Sequence, residues 1–271
     1  MNPSSSAIVT AFNEKLPTDV AYAFREPYRV IRSTASSTIE SDPVAVYFEE
    51  EVETYHKLFE RHFPRIGAGS PLNARMPVHE QTHLLETEAD VLRLATLQLI
   101  HPVNIVLQQI CPSDTRIICR TETSTSSTSR LDVEWSLHDT QGVLLARLAI
   151  LEIKNTHVIR KSDFQRAAVN EQNFQARMAR AMNEDSMTLL QHNAVWLSKQ
   201  AHKYSQYCPY VAIFDYNAMF IFSFLPQSTK PVRGFYFDEN GRASGMTFRR
   251  LLFAFVVRSL RGYEARMPQR P

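Results

Sequence analysis

Glu152 and Lys154 interrupt an otherwise apolar stretch, Val143 to Asn155, whose only other charge is Arg147. Read as a strand, residues two apart share a face. Leu151 and Ile153 then point into a core, while Glu152 and Lys154 emerge together on the other side. Asp132 lies in the preceding alternating segment, Leu131 to Leu137, and Asp139 to Gly142 has turn chemistry. A hairpin there brings the Asp132 carboxylate beside that of Glu152. Two adjacent carboxylates repel and need neutralising. A hard divalent cation, Mg²⁺ or Mn²⁺, does this well. The Lys154 ammonium can hold a water or steady the charge developing on a phosphorane, so cation, water and lysine together suit phosphodiester hydrolysis. An acid-x-Lys triplet is also what a surface ion pair on an edge strand looks like. Of the seven lysines, however, only Lys154 follows an acid by two residues.

Two further polar residues fall on apolar helical faces. At about 100° per residue from Thr82, Leu84, Leu85, Val91, Leu92, Ala95 and Leu99 share a sector with Glu88 at its middle. A buried carboxylate there needs a partner or a metal. Alternatively, Leu94 and Leu97 define the core face and leave Glu88 in water. In the helix from Ser186, Gln200 stands among Leu189, Trp196, Leu197, Tyr204 and Tyr207, one turn before Tyr204. An amide and a phenol there can orient metal ligands or a phosphate; the plainer alternative is a half-exposed glutamine.

The elements that must position these residues follow from periodicity and punctuation. The first 40 residues are rich in Ser, Thr and Pro and read as loosely ordered. A helix is expected from Pro43 to Phe63, then a loop from Pro64 to Pro77, then a helix from Thr82 to Ile100 that stops before Pro102. Strands follow at 116–120, 131–137 and 143–155, with 121–129 as a polar loop. Helices are expected at 163–182 and 186–207, strands at 210–215 and 219–225, and a last helix at 247–261. This order gives an α/β fold with a mixed sheet.

Glu88, Asp132, Glu152-Ile153-Lys154 and Gln200-x-x-x-Tyr204 together form a series that resembles the PD-(D/E)xK nuclease superfamily. The likeness is to its RecB-like and lambda-exonuclease-like branch, and in detail to divergent fungal members. It covers about residues 80 to 225. The resemblance implies a restriction-endonuclease-like core (helix, three-stranded meander, helix, two further strands) over residues 79–271, ending in a basic helix. Residues 1–78 would be a partly disordered, then helical, N-terminal extension. Asp132, Glu152 and the Ile153 carbonyl would bind Mg²⁺ or Mn²⁺, with Glu88 as an outer or second-metal ligand. Lys154 would position the nucleophilic water, and Gln200 and Tyr204 would support the site. Arg160, Lys161, Arg166 and Lys203 would contact nucleic acid, DNA before RNA, and a homo-oligomer is compatible with the resemblance. Two departures stand out: no Pro precedes Asp132, and the stretch from Asn155 to Ser186 is long. Superfamily members also occur as inactive binding modules, which is the chief alternative.

A second rival motif, His79-Glu80-x-x-His83, matches the zinc-protease pattern. It requires both histidines on one turn of an established helix, and Pro77 leaves His79 at best in a first turn. The net charge of +2 announces no nucleic-acid partner by itself. Positive charge is concentrated locally: from Arg242 onward there are seven arginines against Glu264. They could contact phosphates or coat a solvated helix. Cys111, Cys119 and Cys208 form no CxxC pair and read as small buried side chains. No apolar run approaches the roughly 20 residues a bilayer needs, and no secretory signal is apparent at the start. A nuclear or cytoplasmic protein without membrane contact is the expectation.

Overall fold

The computed structural model describes residues 6–32, 36–64, 70–78, 82–126, 129–225, 232–240 and 245–266. In chain order the elements are α1 (Ile8–Ala11), β1 (Ala21–Tyr22), α2 (Ser36–Ile39), β2 (Tyr47–Glu49), α3 (Val52–His62) and β3 (Leu84–Leu85). Next come α4 (Glu88–Ala95), a π-helical turn (Thr96–Ile100), α5 (His101–Ile110), and the strands β4 (Thr115–Ser126), β5 (Ser129–Asp139) and β6 (Leu144–Ile153). The chain continues through α6 (Lys161–Gln165), β7 (Ala168–Val169), α7 (Phe174–Met182), α8 (Asn193–Ser205), β8 (Tyr210–Phe214), β9 (Met219–Ser223), β10 (Arg233–Phe237) and α9 (Phe248–Glu264).

An eight-stranded sheet runs β4-β5-β6-β8-β9-β10-β2-β7, and β1 pairs with β3 in a small parallel ribbon. The fold is therefore mixed α/β. β4, β5 and β6 form an antiparallel meander, and β8 then lies parallel to β6. That parallel pairing requires a crossover, which α8 completes by packing against β8. β8 and β9 are buried at every position, as expected of central strands covered on both faces. At Gly234 any side chain would run into the rings of Tyr47 and Phe220, so glycine lets β10 lie close to β2.

Several expectations change. The helix expected at 43–63 is instead a sheet strand, β2, followed by the shorter α3. Short β-rich segments such as Tyr47–Glu49 take their structure from pairing partners, here Arg233–Gly234 and Ala168–Val169. The loosely ordered start is corrected for residues 6–32: Ile8, Ala11, Phe12 and Leu16 are buried in the same core as β5, β6 and α9. The core is thus continuous across residue 78. The polar stretch 121–126 is strand, because a partner strand satisfies its backbone whatever its side chains are. The helix expected at 163–182 is α6, β7 and α7 in succession, and α8 starts at Asn193 rather than Ser186.

The helix expected to stop before Pro102 runs from Glu88 to Ile110. Proline has no N–H, so the carbonyl four residues earlier, that of Gln98, loses its helical donor. The buried Arg249 supplies one: its Nε donates to Gln98 O at 2.6 Å. The π turn just before Pro102 absorbs the remaining mismatch. This helix is long and apolar enough by composition to cross a membrane, but Val91, Leu94, Leu99, Val103, Val106 and Leu107 are buried inside the fold.

Candidate functional site

The ladder between β5 and β6 ends at the Val133–Leu151 pair. The next inward N–H on β6, that of Ile153, donates instead to Asp132 Oδ2 at 2.8 Å. A side chain thus replaces a backbone rung and holds the Asp132 carboxyl beside β6. One residue on either side of Ile153, Glu152 and Lys154 project together. Lys154 Nζ donates to Glu152 Oε1 at 2.7 Å and lies 3.6 Å from Glu88 Oε1. From α8, Gln200 Nε2 donates to Glu152 Oε1 and also to the Tyr204 hydroxyl, the latter at 3.0 Å. Glu88, Asp132, Glu152, Lys154, Gln200 and Tyr204 therefore form one cluster.

Glu88 reaches it by a route other than the expected one. It does not sit mid-stripe in a helix from Thr82, since Leu84–Leu85 is a strand. Thr87 caps a helix that begins at Glu88: its hydroxyl accepts from Asp90 N, and the Asp90 carboxylate accepts from Thr87 N. Glu88 is in the first turn, half-exposed, and its carboxylate extends to Lys154.

Glu152 is 4% exposed and Lys154 8%. The one ammonium is flanked by the buried Glu152 carboxylate and, at 3.6 Å, by the half-exposed Glu88 carboxylate, with the Asp132 charge also acting on it. Burial and the neighbouring Glu152 charge push the Asp132 carboxyl up to about 7. Burial works against the Lys154 ammonium, but the charges of Glu152 and Glu88 outweigh it and raise its pKa above the ordinary lysine value. Burial, and then the Glu152 charge, likewise raise the Tyr204 phenol. Glu152 Oε2 is buried without a hydrogen-bond partner.

These features fit a hard cation. The donors are carboxylate oxygens, one is an orphaned buried acceptor, and the excess negative charge is otherwise relieved by a proton on Asp132. Among the described residues no group of three His, Cys, Asp or Glu side chains is arranged to hold a metal ion. A cation here would have two side-chain carboxylates and otherwise backbone or water ligands, a set that suits Mg²⁺.

The other expected contacts divide. Lys203 lies over the Tyr204 ring, its ammonium 5.8 Å from the centroid, and so borders the cluster. Arg160 is committed to Asp163 Oδ1 through Nε at 3.0 Å and Nη2 at 2.8 Å, while its guanidinium covers the Tyr28 ring. Lys161 lies over Tyr236 of β10, and exposed Arg166 gives its carbonyl to Arg177. Neither is brought to the carboxylates by these contacts. The arginines of α9 are largely spent within the fold: Arg249 holds carbonyls of Ala11, Glu14 and Gln98, and Arg258 pairs with Glu50. Of the zinc-protease motif, His79, Glu80 and Gln81 lie outside the described residues. His83 is buried ahead of β3, not on a helix, and its Nδ1 faces Arg93 Nη2 at 3.1 Å.

Sequence reading missed the residues that fix the segment after Lys154. The wholly buried Asp215 carboxylate accepts backbone N–H groups from Val158, Ile159, Asn217 and Ala218 at 2.7–3.0 Å. Asn193 bridges Val158 O and Arg29 O. An aspartate closing an apolar strand before Tyr216-Asn217 is a turn signal that could have revealed half of the first arrangement; its partners 56 and 57 residues away leave no local trace. No family model, curated protein or solved structure matches this chain.

Proposed function

We propose that this protein hydrolyses phosphodiester bonds of nucleic acid, DNA before RNA, with Mg²⁺ or Mn²⁺ held by Asp132 and Glu152 in a restriction-endonuclease-like core of the PD-(D/E)xK type. The observation that carries the reading is the charge imbalance: Asp132, Glu152 and Glu88 meet a single Lys154, with Glu152 Oε2 orphaned and Asp132 carrying the excess as a proton near neutrality. An uncompensated buried charge is costly to a fold, and a bound cation would offset it. The order helix, antiparallel meander, helix, strand parallel to β6 agrees with the resemblance.

A bound cation would polarise the phosphate and lower the pKa of a coordinated water. The chain's own residues have distinct tasks. Lys154 stays an ammonium at neutral pH, so it donates to a phosphate oxygen or a water rather than accepting a proton. Gln200 orients Glu152 and is itself aligned by Tyr204. Asp132, tied to Ile153 N, fixes the distance between the two strands.

A second reading is a non-catalytic binding module of the same fold. It is favoured by Lys154 already pairing with Glu152 and by the lack of a three-ligand group among the described residues. Cleavage of end-labelled single-stranded and duplex DNA in Mn²⁺ separates the two, with Lys154→Ala and EDTA as controls. Cleavage by wild type alone, abolished by EDTA, supports the enzyme. Folded protein that binds DNA and leaves it intact supports the module.

A further inference from the structure

Residues 20–32 form a strap tied to two of the segments that carry the cluster. β1 pairs with β3, which runs through the Thr87 cap into Glu88. Further along, Arg29 N donates to His157 O at 2.8 Å, three residues beyond Lys154. The strap is therefore anchored beside Glu88 and beside the segment that follows Lys154, two of the three segments that deliver charge to the cluster. Its composition is unusual: Tyr22, Phe24 and Tyr28 alternate with Arg25, Arg29 and Arg32.

The rings and cations are organised rather than scattered. Tyr22 and Phe24 lie 5.2 and 6.1 Å from the His157 ring. The Arg29 guanidinium lies 4.4 Å from the Phe24 centroid, and that of Arg160 lies 4.0 Å from the Tyr28 centroid. Arg25 and Arg32 are exposed. Arg29 Nε and His157 Nδ1 are buried with no hydrogen-bond partner. The acids alongside include exposed Asp19 and Glu26, Asp215, which holds four backbone N–H groups, and Asp163, which is occupied by Arg160 and by the Tyr28 hydroxyl at 2.6 Å. Aromatic rings offer any base a stacking face, and interleaved arginines follow the phosphates.

We propose that the strap formed by residues 20–32, with His157 and Arg160, binds single-stranded DNA and leads one strand into the Asp132–Glu152–Lys154 cluster. This rests on the phosphodiesterase reading for its direction, but the binding itself does not. Enclosure of Glu152 and Lys154 at 4% and 8% exposure agrees, since one flexible strand enters such a site more readily than an intact duplex.

The test measures fluorescence anisotropy of a short labelled oligonucleotide in EDTA, single-stranded and as blunt duplex, at several salt concentrations. Wild type is expected to favour the single strand by about ten-fold or more, and Phe24→Leu to lose about ten-fold for it. The double variant Arg25→Ala/Arg32→Ala, at exposed positions, should reduce the slope of log affinity against log salt by about 1.4. Thermal melts establish that the variants remain folded. Equal or tighter duplex binding, or folded variants that bind single strands as wild type does, overturns the proposal. Cleavage in Mn²⁺ is scored separately. Single-strand binding without cleavage overturns only the enzymatic reading, whereas duplex cleavage indifferent to all strap variants overturns only the strap.

Discussion

Two carboxylate–cation clusters in the molecule, around Glu50 and around Glu152, are built on opposite principles. At Glu50 the carboxylate receives both Nη atoms of Arg258 at 2.7 and 2.8 Å and the Tyr55 hydroxyl at 2.8 Å, with Arg233 at 3.5 Å. Burial opposes the Glu50 charge, but Arg258 more than compensates and holds the carboxyl below its usual range. Every oxygen is satisfied, and the cluster ties β2 to α9. At Asp132, Glu152 and Glu88 the cations fall short, an oxygen is orphaned, and one carboxyl is pushed up to about 7. A fold gains nothing from such an imbalance. It is the feature on which the proposed cation site rests.

Four measurements sharpen or break this contrast. The largest effect belongs to the balanced cluster: Arg258→Ala leaves Glu50 buried without its main partner and should cost about 3–5 kcal/mol of stability in denaturant unfolding. A small loss would mean that Glu50 is solvated and the two clusters are alike. At the unbalanced cluster the sign reverses. The folded Asp132 pKa lies above its unfolded value, so its ionisation destabilises the fold. This penalty is absent below about pH 4 and complete above about pH 7. Asp132→Asn should therefore stabilise metal-free protein at pH 8 by up to about 4 kcal/mol and do nothing at pH 4. Destabilisation at pH 8 would show that the carboxylate is already neutralised.

Adding Mn²⁺ at tenfold excess over its Kd should stabilise wild type by about 1.4 kcal/mol. Asp132→Asn and Glu152→Gln should lose that response, and calorimetry that finds it intact in both would place the cation elsewhere. The smallest effect belongs to Glu88, whose side chain is 48% exposed and 3.6 Å from Lys154. Glu88→Gln should change stability by no more than about 0.5 kcal/mol after screening by solvent. A larger loss would make Glu88 an integral part of the cluster.

The legibility of the two clusters differs for a physical reason. Glu152 and Lys154 announce themselves because a strand alternates, and charge in an apolar run cannot hide. Gln200 and Tyr204 do so because a helix stacks residues four apart. Asp132 follows from a hairpin with a local turn. Glu50, in contrast, sits in a run of acids, Glu49 to Glu51, and its partner Arg258 is 208 residues away. Nothing local separates it from a solvated charge. The helical face expected to carry Glu88 loses its first turn, because Leu84 and Leu85 pair with β1 and the cap at Thr87 makes Glu88 the first helical residue, ahead of buried Val91, Ala95 and Leu99.

By itself the sequence determined the local matter: the three strands of the meander apart from the stretch 121–126, the faces of β6 and α8, the mixed α/β class, and the residue types of the carboxylate–lysine set. Each is encoded in periodicity and in turns, which act over a few residues. Only the tertiary structure decided that β2 and β7 join the sheet, that Pro102 lies within a helix because Arg249 supplies a donor to Gln98, that Arg160 holds Asp163, and that residues 20–32 are tied to β3 and to His157. These depend on which distant groups satisfy one another's hydrogen bonds and charges, and such pairings leave no period in the chain.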